Sequence, residues 1–201
     1  MTAHAHTPGT IGPNSITRMA QALTHQQGEA VTARIFEAAG LMHYLSEPPT
    51  QMVDEKGVTA LHRVVRETLT PEEARSVSRE AGRLTAEYLL ANRIPKPVQT
   101  LLRLLPAGPA SRILLTAISR NAWTFTGSGR FQVHRNQGLE LSITGGPICK
   151  EIQAHEPVCD YYAATFEHLF RSLVHKNTTV RETACGATGA SSCLFAVSWD
   201  V

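Results

Sequence analysis

The sequence predicts an α+β fold, with N-terminal helices packed on a C-terminal four-stranded antiparallel sheet and one inserted helix. Three observations carry this expectation. Apolar residues recur at helical spacing through the first two thirds of the chain, strict alternation begins only after Asn121, and the two patterns stay segregated instead of alternating as βαβ units. A chain of 201 residues holds one domain with a sizeable core. We therefore expect a mobile leader over residues 1–15 and a single ligand-binding domain over 16–201.

Each element has its own signal. Asn14 and Ser15 offer caps for an amphipathic stretch with Ile16, Met19 and Leu23, and Val31, Ile35 and Ala39 mark a second helix that Gly40 closes. Val58, Leu61, Val65 and Leu69 form a third apolar stripe, with His62 inside it. Thr70, Pro71 and Glu73 read as a capping box that opens a long helix, whose buried side includes Val77, Ala81, Leu84 and Tyr88. Pro95, Pro97, Pro106 and Pro109 punctuate two further helices, over 98–105 and 111–121. Trp123, Phe125, Phe131 and Val133 then alternate with polar residues, Asn136 to Gly138 offers a turn, and Leu139, Leu141 and Ile143 alternate again, which predicts a β-hairpin. A helix over 157–174 carries Val158, Tyr162, Phe166, Leu169 and Leu173 on one side. Two last strands, 178–184 and 193–199, enclose the small-residue loop GATGASS.

Apolar residues make up 42% of the chain, charged residues 18%, and the net charge is +2, so overall charge selects neither nucleic acid nor an anionic membrane as partner. The densest apolar runs, 101–105 and 113–118, are broken by Arg103 and Thr116 and fall well short of the ~18 residues of a membrane span. The opening MTAHAHTPGTIGPNS has neither a basic n-region nor an apolar h-region, so the chain reads as cytoplasmic, and His4 and His6 read as a tail without a specific metal.

Four cysteines stand at 149, 159, 185 and 193, with no C-x-x-C pair and hence no iron–sulfur or thioredoxin signature. Cys185 and Cys193 flank the final turn, Glu182 precedes Cys185 by three residues, and Cys159 falls in the first turn of the preceding helix. A hairpin brings the first three together, and packing of the helix N-terminus would add the fourth. Spacing alone leaves open a closed zinc site, small buried core cysteines, or a Cys185–Cys193 disulfide, which an intracellular chain seldom keeps. Cys149 stands outside this pattern as a free thiol.

Cys159, then Glu182, Cys185 and Cys193 within TVRETACGATGASSCLFAV, resemble the pattern of the 4-vinyl reductase domain family, which occurs in phenol-sensing transcriptional activators and in bacteriochlorophyll synthesis. The resemblance is carried by the C-terminal part of the chain. It implies a structural zinc held by those four residues, a homodimer, and a ligand cavity between helices and sheet. The chain ends at Val201 directly after the last strand, without an ATPase or DNA-binding module, and so is more similar to the pigment-synthesis members than to the sensors.

The implied role is a tetrapyrrole-binding accessory protein, carrier or chaperone, that supplies a vinyl-bearing protochlorophyllide or chlorophyllide to a separate vinyl reductase or other pigment-synthesis enzyme. The alternatives are the vinyl reductase itself, or a ligand-sensing or protein-interaction module. Vinyl reduction needs a hydride or electrons. Gly127 and Gly129 begin a dinucleotide-like fingerprint, but Gln132 occupies its third glycine position in a hairpin setting, so no nicotinamide, flavin or iron–sulfur cluster and no catalytic residue is expected. His62 is the candidate axial ligand or hydrogen-bond donor to a porphyrin-type ring, with Tyr88, Trp123, Phe125 and Tyr162 against it. Each of these also reads as plain core, the histidine bonded to a backbone carbonyl and the aromatics simply packed.

Overall fold

A computed structural model describes residues 9–136 and 138–199. Within it, strand β1 (Thr10–Ile11) pairs antiparallel with β2 (Val53–Asp54), and Ile11 is buried. The part of the expected leader that falls among the described residues is thus folded against the domain. His4 and His6 lie outside the described residues.

Helix α1 (Asn14–Gln27) starts one residue earlier than its side-chain signals suggest. Pro13 occupies the N-cap without a side-chain bond, and Ser15 turns its hydroxyl back to the Gly12 carbonyl. α2 (Glu29–Ala38) ends as expected: Gly40, at φ 72°, lets the Leu41 amide reach back to the Phe36 carbonyl. A short α3 (His43–Ser46) leads to β2 and then to α4 (Glu55–Thr68), where Asp54 caps the helix through the Lys56 amide. α5 (Pro71–Asn92) opens with the anticipated reciprocal capping box between Thr70 and Glu73.

The buried face of α5 is built from small residues: Ala74, Ser78, Ala81, Gly82, Thr85 and Ala86 surround Val77. Leu84 and Tyr88, expected on that face, are only half-buried. α6 (Lys96–Leu104) and α7 (Ala107–Arg120) form a helical hairpin, Pro109 sitting in the first turn of α7, where its missing N–H costs nothing.

The largest departure from the sequence reading follows. Trp123 and Phe125 do not begin a strand; they lie in a one-turn helix, α8 (Trp123–Thr126). The Thr124, Phe125 and Thr126 amides donate to Asn121 and Ala122 carbonyls, so local turn bonds extend α7 past the point where side-chain alternation suggested extension. Strand β3 (Arg130–His134) starts only after Gly127, at φ 59°. Gly127 and Gly129 therefore lead into a strand, not into a helix N-terminus, and the dinucleotide fingerprint has no structural counterpart.

β4 (Leu139–Thr144), helix α9 (Asp160–Leu173), β5 (Thr179–Ala184) and β6 (Cys193–Ser198) complete the chain. The sheet order is β3-β4-β6-β5, all antiparallel, so the expected α+β architecture is present. α9 is buried nearly all round, from Tyr161 to Phe166 and on through Leu169, Phe170 and Leu173, because it lies between the sheet and α5. The two helices approach closely: Thr165 Oγ1 donates to the Gly82 carbonyl at 3.1 Å, and Thr85 Oγ1 bonds the Tyr161 hydroxyl at 2.8 Å.

Candidate functional site

The C-terminal half brings four sulfurs to one point. Cys159 is the N-cap of α9, Cys185 ends β5 and precedes a single 3₁₀ turn (Gly186–Thr188), Cys193 opens β6, and Cys149 lies in the turns between β4 and α9. The Sγ atoms of Cys149 and Cys193 are 3.3 Å apart, those of Cys159 and Cys193 3.4 Å, Cys193 and Cys185 3.8 Å, and Cys159 and Cys185 3.9 Å. All four lie within 4.8 Å of one another. Zinc–sulfur bonds of about 2.3 Å in a tetrahedron place sulfurs about 3.8 Å apart, so the donor set and its spacing fit one tetrahedral thiophilic ion.

Sequence reading set Cys149 apart as a free thiol, but the structure brings it in. Ile143 of β4 pairs with Cys193, and the chain then turns back, Glu151 adopting φ 62°, so that Cys149 arrives above the start of β6. The Pro147 carbonyl, which accepts from Thr59 Oγ1 at 2.9 Å, ties this turn to α4.

Glu182 sits beside the sulfurs. Residues three apart on a regular strand face opposite sides; a bulge between Glu182 and Ala184 changes that parity and lets Glu182 and Cys185 approach the same centre. One carboxylate oxygen accepts the Cys159 amide at 2.7 Å, while Oε1 is buried with no hydrogen-bond partner. Burial, followed by the Cys185 charge, pushes its pKa up to about 8, against the pull of the Cys159 amide.

The four thiols share protons. Hydrogen bonding with Cys149 lowers Cys185, and that with Cys159 lowers Cys149; bonding with Cys149 raises Cys159 and Cys193. A divalent cation would displace those protons and bind the thiolates. The Gly186 amide donates to Cys193 Sγ at 3.3 Å, and Gly186 keeps that approach open, since a Cβ there would stand 3.4 Å from the Cys149 sulfur.

Sequence reasoning also missed Arg66, on α4. Its guanidinium donates to the Val158 carbonyl, is largely buried, and feels the charges of Asp160, Cys159, Cys185 and Glu182. It supplies positive charge beside what would be an anionic centre. An Arg on the last turn of an amphipathic helix gives no sequence sign of such a partner.

The expected ligand-contacting residues separate into two groups. His62 (1% exposed) meets the edge of Tyr161 at 5.7 Å between centroids, and neither ring nitrogen has a hydrogen-bond partner. Burial first, and then the Arg66 charge, lowers its pKa to about 3, so it is neutral in the fold. Phe125 and Tyr162 do pack together: the Tyr162 hydroxyl donates to the Phe125 carbonyl at 2.7 Å, and with Phe131, Phe166 and Phe195 their rings form an interleaved cluster.

Tyr88 lies apart from these, beneath the guanidinium groups of Arg18 and Arg93, and Trp123 stands half-buried on α8. The space expected to be a cavity is occupied by the aromatic cluster. Two surface depressions lie elsewhere, one of about 640 Å³ beside the 3₁₀ turn, lined by residues 152–155 and 186–189, and one of about 400 Å³ between α1 and α3.

A helical N-terminal part over an antiparallel sheet, with three cysteines clustered where the last hairpin meets the helix before it, defines a vinyl-4-reductase domain, and the model of that domain family matches residues 139–198. The chain is 43% identical over 92% of its length to the bacteriochlorophyll synthase 23 kDa chain of Cereibacter sphaeroides, covering 88% of that protein. It is 36% identical, again over 92% of its length, to the protein of the same description in Rhodobacter capsulatus, covering 85% of it. The chain belongs to this family of vinyl-4-reductase-domain proteins. Among solved structures, one described as probing haem distortion in the H-NOX family superimposes with a TM-score of 0.59 at 14% identity, over 95% of this chain and 96% of that one. An H-NOX protein from S. oneidensis in the Fe(II)NO state gives 0.51 at 12% identity, over 95% of this chain and all of that one. These are likenesses of fold. Bacteriochlorophyll biosynthesis is thus the setting in which the family is named, and among the described residues no helix is long and apolar enough to cross a membrane.

Proposed function

We propose that the protein is a tetrapyrrole-binding accessory component of bacteriochlorophyll synthesis, which holds a vinyl-bearing protochlorophyllide or chlorophyllide for a separate reductase. The observation that carries this is the 43% identity, spread over nearly the whole chain, to a bacteriochlorophyll synthase chain. His62 supports it: a buried histidine with two unpartnered nitrogens is costly in a finished core and suits a polar anchor for a ring that opens the aromatic cluster around Phe125 and Tyr162. Trp123 at the edge of that cluster completes the proposed contact surface. Tyr88, under two arginines, belongs to it only as an outer rim.

A structural zinc belongs to the same reading. Cys159, Cys185 and Cys193 hold it, with Cys149 as the fourth ligand and Glu182 as the hydrogen-bonding neighbour that fixes Cys159 through its amide. When bound, the ion staples the α9 N-terminus to the last hairpin. Self-association as a homodimer and residence in the cytoplasm complete the proposal, and sedimentation of the pure chain tests the former.

Reduction of a vinyl group consumes two electrons and two protons, which a closed four-thiolate zinc site does not deliver. Pure protein incubated with divinyl protochlorophyllide and NADPH or NADH is therefore expected to retain the pigment through gel filtration with its vinyl group intact. Steady formation of the ethyl product would overturn the accessory role in favour of the reductase. Pigment that elutes entirely free of protein would overturn binding.

A further inference from the structure

The near-neutral total charge conceals a sharp asymmetry. Residues 93–139 contain seven basic side chains (Arg93, Lys96, Arg103, Arg112, Arg120, Arg130 and Arg135) and no acid, which leaves twelve cations against all 17 acids for the rest of the chain. All seven are exposed, and among the described residues none of them is in an ion pair.

The same segment carries most of the exposed large apolar side chains. Leu104 is 79% exposed, Leu101 53%, Ile113 44% and Val98 39%. They lie on the α6–α7 hairpin, whose inner side is fixed to the body: Leu102, Ala110, Leu114 and Leu115 are buried, Gln99 donates to the Leu90 and Ile94 carbonyls, and Arg103 donates to the Ser172 carbonyl. The outward leucines are therefore held in place and are not frayed ends. At 100° per residue, Leu101 and Leu104 share one flank of α6, and Arg112 and Arg120 bracket Ile113 on the outer side of α7.

We propose that the α6–α7 hairpin docks on the surface of an anionic lipid bilayer, with Leu101, Leu104 and Ile113 entering the headgroup boundary and the arginines pairing with lipid phosphates. Rigidly held apolar side chains rimmed by uncompensated cations are the composition of an interfacial helix. A second copy of the chain meets this face badly, since it would set seven cations against seven. A nucleic-acid backbone would pair the cations and leave the leucines without a role. This surface does not rest on the pigment-carrying reading.

Cosedimentation of the 201-residue chain with vesicles tests the proposal, using phosphatidylcholine alone and phosphatidylcholine with a third of phosphatidylglycerol. Binding to the anionic vesicles is expected to exceed binding to the neutral ones by roughly tenfold or more at low salt and to fall as salt screens the charges. The double substitution Leu101→Ser, Leu104→Ser and, separately, Arg112→Glu, Arg120→Glu should each remove most of the difference, while thermal unfolding stays that of the wild type and Met42→Ser, an exposed apolar residue away from the hairpin, changes nothing. Equal binding to both vesicle types, no binding to either, or variants that bind as the wild type does would each overturn the proposal. So would a dimer that the leucine substitutions split while vesicle binding persists, which would give the face to a second copy.

Discussion

Cys149 and Glu182 compete for one place in the centre. The sulfur spacing favours Cys149, because its Sγ joins the other three within 4.8 Å whereas Glu182 spends one oxygen on the Cys159 amide. Cys149→Ser and Cys185→Ser are accordingly both expected to lose stoichiometric metal and to lower the thermal midpoint, since a structural ion contributes folding free energy outright. Glu182→Gln should keep the metal with affinity reduced about 10- to 100-fold, as for an outer-shell partner. Elemental analysis decides between the two: metal lost from Glu182→Gln and retained by Cys149→Ser makes the carboxylate the fourth ligand. His62 gives a second prediction at this scale. Its folded pKa, about 3, lies below the ordinary 6.5, so the unfolded chain takes up a proton that the fold refuses between those values. Its contribution is fully present above pH 6.5 and is lost as pH falls toward 3, by at most about 1.4 kcal/mol per pH unit. Urea unfolding on both sides of pH 6.5 should show wild type losing stability faster than His62→Leu, and parallel curves would contradict the buried neutral imidazole.

Between elements, the contact of α5 with α9 is the tightest. A Cβ on Gly82 would overlap the Tyr161 carbonyl oxygen and press on Ala164, so Gly82→Ala forces the helices apart despite its gain in helix propensity. We expect a loss of about 1–3 kcal/mol in denaturant unfolding, in the range of overpacked cores. Thr70→Ala, which removes the capping box of the same helix, should cost about 1 kcal/mol. A neutral or stabilising Gly82→Ala would mean that the two helices are not in the described contact. These elements show what sequence can and cannot display. The capping box and the Gly40 stop are local, each complete within a few residues, and were legible. The stretch from Trp123 to Thr126 was not, because its alternating side chains mimic a strand while the deciding hydrogen bonds come from the end of α7.

At the scale of the molecule, segregated periodicities sufficed for the α+β architecture, and three sulfurs of the centre were visible from the final hairpin and the helix before it. The fourth was not. Cys149 reaches the others only because β4 pairs with β6 and places Ile143 opposite Cys193, a long-range register that no local pattern announces. Arg66 was hidden for the same reason, being brought to the centre by the packing of α4. The charge asymmetry lay open in the sequence but was masked by a total of +2, and it gained meaning once the leucines of α6 were seen to face outward. The central claim, that this fold holds a vinyl tetrapyrrole at the His62 and Phe125 region, is tested most directly by titrating divinyl protochlorophyllide with pure protein while following its Soret band. The account predicts a saturable shift in the wild type that is weakened in His62→Leu and Trp123→Ala at unchanged metal content. An unshifted band, or a shift identical in wild type and both variants, would contradict it.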